Sequence, residues 1–171
     1  MAADLKNSKP IFVICDNIRS LSNVGIIFRL CDALAVKKLY LCGITGHPKY
    51  GGDMRRYEIS ERADKEIRKT AIKNVDNVDW EYRENIVDLI KELKAQEIQI
   101  VALEQTPKSI NYLKAEYNYP LAIVLGHEVD GICSEAIDMA DLKVEIPMLG
   151  TGHSLNVATS FAVLGYKIRE N

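Results

Sequence analysis

Several things are missing from this 171-residue chain, and each absence narrows it. No apolar run approaches the ~18–20 residues of a membrane span. The opening MAADLKNSKP has no apolar signal core, so a cytoplasmic protein is expected. Cysteine is scarce: Cys15, Cys31, Cys42 and Cys133 include no C-x-x-C pair. That argues against a zinc or dithiol redox site and for buried, reduced thiols. His47, His127 and His153 lack metal-ligand spacing, and no metal is expected. Repeats, low-complexity tracts and linkers are absent. So is an excess of one charge: 22 Lys/Arg against 24 Asp/Glu leave a net −2, which argues weakly against nucleic-acid binding by the chain as a whole.

The charge is uneven, however. Residues 45–75 hold eight basic residues against five acidic ones. They form either a local basic surface, with Arg55, Arg56, Arg62, Lys65 and Lys69 as RNA contacts, or an ordinary solvated helix face.

Short β-rich runs alternate with helical segments, which predicts one α/β domain built on a mostly parallel sheet flanked by helices. Strands are expected at Ile11–Cys15, Lys38–Gly43, Trp80–Tyr82, Ile98–Leu103, Leu121–Leu125 and Leu142–Ile146. Helices are expected at Asn23–Ala35, capped by Ser22 or Asn23, and at Arg62–Lys73, Ile86–Ala95, Ser134–Ala140 and Ser154–Arg169. Residues 1–9 read as a flexible terminus. Residues 44–60, with Gly46, Pro48, Gly51 and Gly52, read as a long loop. The last helix is apolar nearly all round, so it is wedged into the domain, meets another subunit, or both.

Two segments near the end share one form. In LGHEVDGICSE (Leu125–Glu135) and IPMLGTGHSLNVATSFA (Ile146–Ala162) an apolar run leads into a Gly-bearing loop and then a helix. Loops of this kind at strand ends hold polar cofactors with backbone groups. Three familiar readings fail. GHEVDG has phosphate-loop spacing, but Ile132 and Cys133 stand where Lys and Ser/Thr belong. GTGHSL has Leu155 at the third glycine of a dinucleotide fingerprint. GHSLN ends in Asn156, and no histidine follows Ser154, which rules out the nucleophile-elbow hydrolases.

Together with NIRSLSNVGIIFRLCDALAV (Asn17–Val36) and VALEQT (residues 101–106), these segments resemble the SpoU (TrmH-like) RNA ribose 2′-O-methyltransferases of the SPOUT superfamily, from Ile11 to Ile168. The resemblance implies a C-terminal trefoil knot and a homodimer. It implies S-adenosylmethionine held against Leu103, Glu104, Gly126, Ile146, Met148 and Leu155. It also implies methyl transfer to a ribose 2′-hydroxyl of structured RNA, tRNA ahead of rRNA.

The resemblance places the catalytic set on Asn23, Arg29, Glu128, Ser154 and Asn156. Arg29 is expected to bind an RNA phosphate or stabilise the forming alkoxide, because a guanidinium is a poor base. A surface salt bridge is its ordinary alternative, and helix capping is that of Asn23, Ser154 and Asn156. Glu128 is expected to fix Arg29 or shape its loop. For Ile146 and Leu155 the ordinary alternative is core packing. His127 departs from the smaller polar residue usual at its position. Relatives often carry extra RNA-gripping domains; none is expected within this chain. The competing reading is a knotted, cofactor-binding RNA module without methylase activity.

Overall fold

The computed structural model describes Asp4 and residues 7–170. The expected flexible segment 1–9 lies partly outside them, since residues 1–3, 5 and 6 are not described. Among the described residues seven strands form one sheet: β1 (Ile11–Asp16), β2 (Lys38–Cys42), β3 (Trp80–Arg83), β4 (Gln99–Leu103), β5 (Ile110–Asn111), β6 (Leu121–Leu125) and β7 (Leu142–Glu145). Their order is β3-β2-β1-β6-β4-β7-β5, and every pairing is parallel. The helices are α1 (Leu21–Ala33), α2 (Tyr57–Ala71), α3 (Ile86–Ala95), α4 (Ser134–Met139) and α5 (Val157–Glu170).

The sheet is covered on both faces, as a parallel sheet requires. Alternate residues of β1 and β6 divide between two cores. Val13, Cys15, Ile123 and Leu125 point to the side of α1, α2 and α5. Phe12, Ile14, Ala122 and Val124 point to the side of α3 and α4. This explains why β1 and β6 read as unbroken apolar runs.

Several boundaries differ from expectation, each for a local reason. Helix α1 begins at Leu21 because Ser20 is extended and its hydroxyl accepts the N–H of Asn23 at 3.2 Å; neither Ser22 nor Asn23 is the cap. Helix α2 begins at Tyr57, five residues early, because the chain-breaking glycines end at Gly52 and Glu58 suits a first turn. Helix α5 begins at Val157 because Asn156 takes the cap, accepting Ala158 N–H at 3.0 Å and Thr159 N–H at 3.3 Å. The two-residue β5 is too short for a periodic signal.

Helix α5 is wedged as expected on one side: Ala158, Phe161, Leu164, Gly165 and Ile168 are buried. A Cβ at Gly165 would lie 2.5 Å from Leu34 Cδ1, so α5 approaches the end of α1 closely. Arg169 fastens its far end by donating to the carbonyls of Leu34, Ala35 and Lys9. Its other side carries the exposed Tyr166. Cys15, Cys31 and Cys42 are buried free thiols and Cys133 is a half-buried one. Burial pushes the Cys42 thiol up to about 12 and that of Cys133 to about 11, so both stay protonated and unreactive. No helix among the described residues is long and apolar enough to cross a membrane.

Candidate active site

A cleft of about 360 Å³ opens at the carboxyl ends of β4, β6 and β7, where open α/β sheets bind ligands. Its walls include Leu103, Glu104, Gly126, Glu128, Ile146, Ser154, Leu155 and Asn156. The last residues of three strands and both Gly-bearing loops thus meet in one place.

The first loop is built tightly. His127 and Gly131 exchange backbone hydrogen bonds at 3.0 Å in each direction. A Cβ on Gly126 would stand 2.4 Å from the Gly131 carbonyl carbon and the Ile132 nitrogen. Gly126 therefore lets the loop close on itself, which is a different need from the close approach to a cofactor expected of it. Gly131 has φ +73, and a Cβ there would strike Glu104 Oε2 at 2.4 Å. That same oxygen accepts the Ile132 N–H at 3.0 Å, so Glu104 ties the end of β4 to the loop. Beneath it, Asp16 at the end of β1 is 1% exposed and accepts the Cys133 N–H at 2.8 Å. His127 Nδ1 accepts the N–H groups of Val129 and Asp130 at 3.2 and 3.0 Å. The Asp130 carboxylate stands 3.1 Å from the same nitrogen.

Three residues from three separate segments join in a hydrogen-bonded chain. Asn156 Nδ2 donates to Asn23 Oδ1 at 3.0 Å. Asn23 Nδ2 donates to Glu128 Oε1 at 3.0 Å. Glu128 also accepts the N–H groups of Ser20 at 3.1 Å and Arg19 at 3.4 Å, at the positive end of α1. Partial burial pushes the Glu128 pKa up, but the hydrogen bonds it accepts outweigh this and hold the carboxyl below its ordinary value. Ser154 lies just before α5, exposed, with no hydrogen bond among the described residues. Its hydroxyl is free at the cleft wall.

The model of the SpoU rRNA methylase family matches residues 10–166. The chain belongs to the SpoU rRNA methylase family. It is 30% identical over 162 residues to the tRNA (guanosine(18)-2′-O)-methyltransferase of Aquifex aeolicus, covering 95% of this chain and 70% of that protein. Identity to the Escherichia coli K12 protein of the same name is 27% over 164 residues, covering 95% of this chain and 65% of the relative. Among solved structures, the A. aeolicus TrmH/SpoU tRNA modifying enzyme superposes with a TM-score of 0.78 at 28% identity, over 95% of this chain and 75% of that one. The AviRb methyltransferase of Streptomyces viridochromogenes, solved with AdoMet, shares the fold at a TM-score of 0.79 and 18% identity, over 95% and 57%.

Not every residue expected at the site of this SpoU-family chain lines the cleft. Arg29 is exposed on α1, forms no hydrogen bond or ion pair among the described residues, and is not part of the cleft wall. The expected contact between Glu128 and Arg29 is absent, because Glu128 is committed to the start of α1, about two turns before Arg29. Met148 also stands outside the wall, half-buried against Gly152. Of the five expected RNA-binding residues, Arg55 is committed to Asp53 and the carbonyls of His47 and Pro48, and Lys69 pairs with Glu66. Arg56, Arg62 and Lys65 are exposed and make no ion pair among the described residues. Asp16, Gln105 and Ser160 were missed from sequence. A lone carboxylate ending the apolar run IFVICD was the available signal for Asp16; nothing in the pattern marks the other two.

Proposed function

We propose that this SpoU-family protein transfers a methyl group from S-adenosylmethionine to a ribose 2′-hydroxyl of RNA, with tRNA preferred over rRNA. The hydrogen-bonded chain Asn156–Asn23–Glu128 beside the cleft carries this reading. A fold alone does not require three distant polar residues to converge at one ligand-sized opening.

The cleft fits the methyl donor. Its volume falls in the range of small-molecule sites, and it offers both kinds of wall such a molecule needs. Leu103, Ile146 and Leu155 supply apolar faces for adenine, while the loop backbones and Ser154 supply polar partners. The donor, when bound, supplies an electrophilic methyl group. No group of metal-ligating side chains occurs among the described residues.

The chain's own residues have the harder task, because a ribose hydroxyl is a weak nucleophile at neutral pH. Glu128, held below its usual pKa, is a poor proton acceptor. It acts by orienting Asn23 and the start of α1. Its acceptor sites are occupied by the backbone N–H groups of Arg19, Ser20 and Glu128 itself and by the Asn23 side chain, so its role is structural. Ser154 holds the ribose by hydrogen bonding. Arg29, outside the cleft of its own chain, serves as a phosphate contact, where a permanently charged planar fork is suited. Arg56, Arg62 and Lys65 extend that electrostatic surface.

The chain is one SpoU domain, cytoplasmic, and acts as a homodimer with the family's carboxyl-terminal knot at the interface. It uses no metal. The relatives named for guanosine-18 methylation support tRNA as the substrate.

Calorimetry with S-adenosylmethionine, followed by tritiated methyl transfer to RNA from cells lacking the protein, tests the reading. Transfer to tRNA with one mapped 2′-O-methyl nucleoside is expected. Binding without transfer to tRNA or rRNA would mark a cofactor-binding RNA module instead.

A further inference from the structure

A second, larger cleft of about 950 Å³ opens above the carboxyl ends of β2 and β3, walled by the segments 43–47, 50–63 and 82–84. In the sheet order, β1 lies between this pair and β6, so the two clefts are neighbours across the loop that follows β1. Arg19 sits on that ridge. It lines the second cleft, and its N–H reaches Glu128 in the wall of the first. Two strand spacings of ~4.8 Å separate β2 from β6, a distance that one nucleoside bridges. We propose that this cleft receives the base of the target nucleoside, turned out of the RNA, so that its ribose stands on the Arg19–Glu128 ridge facing the methyl donor. The inference rests on the methyltransferase reading above and adds where the base goes.

Three features suit a base. The first is a stiff aromatic platform. His47 meets Tyr82 at 4.6 Å and Tyr50 at 5.5 Å in tilted contacts, and Tyr50 meets Trp80 edge-on at 5.9 Å. Tyr82 is anchored by donating to the Gly43 carbonyl at 3.1 Å. Tyr50 remains 41% exposed, with ring surface left for stacking. An aromatic fixed by its neighbours loses little entropy when a base stacks on it.

The second is a set of uncommitted charges. Glu58 and Glu84 line the cleft and accept no hydrogen bond among the described residues, and the Arg19 and Arg62 guanidiniums make no ion pair. Asp53 and Arg55, by contrast, neutralise each other. Free carboxylates match a base edge rich in N–H donors, as guanine presents on its Watson–Crick side. The two arginines at the rim match the flanking phosphates.

The third is apolar surface left uncovered. Met54 is 96% exposed, and the exposed Ile44 and Ile59 line the same cleft. An extruded base needs such a wall on the side away from its stacking partner.

The test uses the full-length protein and tRNA from cells lacking it, with the modified nucleotide mapped first. Tyr50→Ala, Arg19→Ala, Glu84→Gln and Met54→Glu are expected to raise KM for tRNA about ten- to a hundredfold, the worth of one stacked base or charged contact. Affinity for S-adenosylmethionine should stay at the wild-type value. If the mapped nucleotide is a guanosine, replacing it by inosine, which removes the 2-amino donor, should weaken wild-type turnover and leave Glu84→Gln nearly indifferent. Wild-type kcat/KM in variants that still bind the donor overturns the base cleft while the methyltransferase reading stands. Absence of methyl transfer by the wild-type protein overturns the reading beneath it. Met54 touches little of the fold, so Met54→Glu decides the matter even if the other variants unfold.

Discussion

Two glycine loops that look alike in sequence behave as opposites in the fold. The loop at residues 126–133 is locked. Gly126 and Gly131 are both required by contact with backbone or side chain, and Glu104, Asp16 and Glu128 tie the segment to β4, β1 and α1. The loop at residues 147–155 is open. A Cβ at Gly150 would meet nothing within 4 Å, Leu149 is 97% exposed, and no backbone hydrogen bond joins this stretch to the described remainder. Both glycines of the first loop answer a steric demand, whereas in the second Gly152 meets only the flexible end of Met148 and Gly150 meets nothing. The cleft is thus bounded by one tightly bonded wall and one sparsely bonded wall.

The sharpest way to break this comparison is a pair of substitutions. Gly126→Val should cost about 1–3 kcal/mol of stability through forced overpacking and abolish binding of S-adenosylmethionine. Gly150→Ala should stay within about 0.5 kcal/mol of wild type. Denaturant titration and calorimetry check both, and equal effects at the two glycines would erase the distinction. Next in size, Asp16→Ala should cost about 1–3 kcal/mol, because the Cys133 N–H loses its acceptor in a largely dry setting. Unchanged stability would mean that the locked loop does not depend on β1. Asn156→Ala removes the cap of α5 and should cost about 1 kcal/mol. It should also cut methyl transfer more than that loss of stability accounts for, since the chain to Asn23 and Glu128 is broken.

The smallest effect is a pH dependence. The Glu128 carboxyl sits below its ordinary value of 4.5 in the fold. Its contribution is therefore complete above that value, where the unfolded chain is also ionised, and fades as pH falls through the lower folded value. The gap in melting temperature between wild type and Glu128→Gln should be widest near neutrality and narrow in acid below 4.5. A gap that grows on acidification contradicts the assigned hydrogen bonds.

Much of this was legible in the sequence, for reasons that can be named. The limits of α3 and β6 were read to the residue, because Asn85 caps one with a side chain made for it and turn residues bound the other. Asn23, Glu128, Ser154 and Asn156 were located through the resemblance of their segments to a family. Spacing could not show that Asn23 bridges the other two, since those contacts span 105 and 133 residues of chain. The outward placement of Arg29 was hidden because a helix position shows its face only once its partner elements are known. For the same reason the second cleft did not appear: Arg19, Tyr50 and Glu84 belong to three loops that meet only when β1, β2 and β3 lie side by side.

By itself the sequence determined the alternation of strand and helix, the burial of β1 and β6, and the kinship of the segments that carry polar residues. These depend on local propensity, apolar patterning and short-range wording. Only the tertiary structure decided which glycines are obligatory, which charges remain free, and which loops share a wall. Those are matters of distance between segments far apart in the chain, set by the order in which seven parallel strands pack.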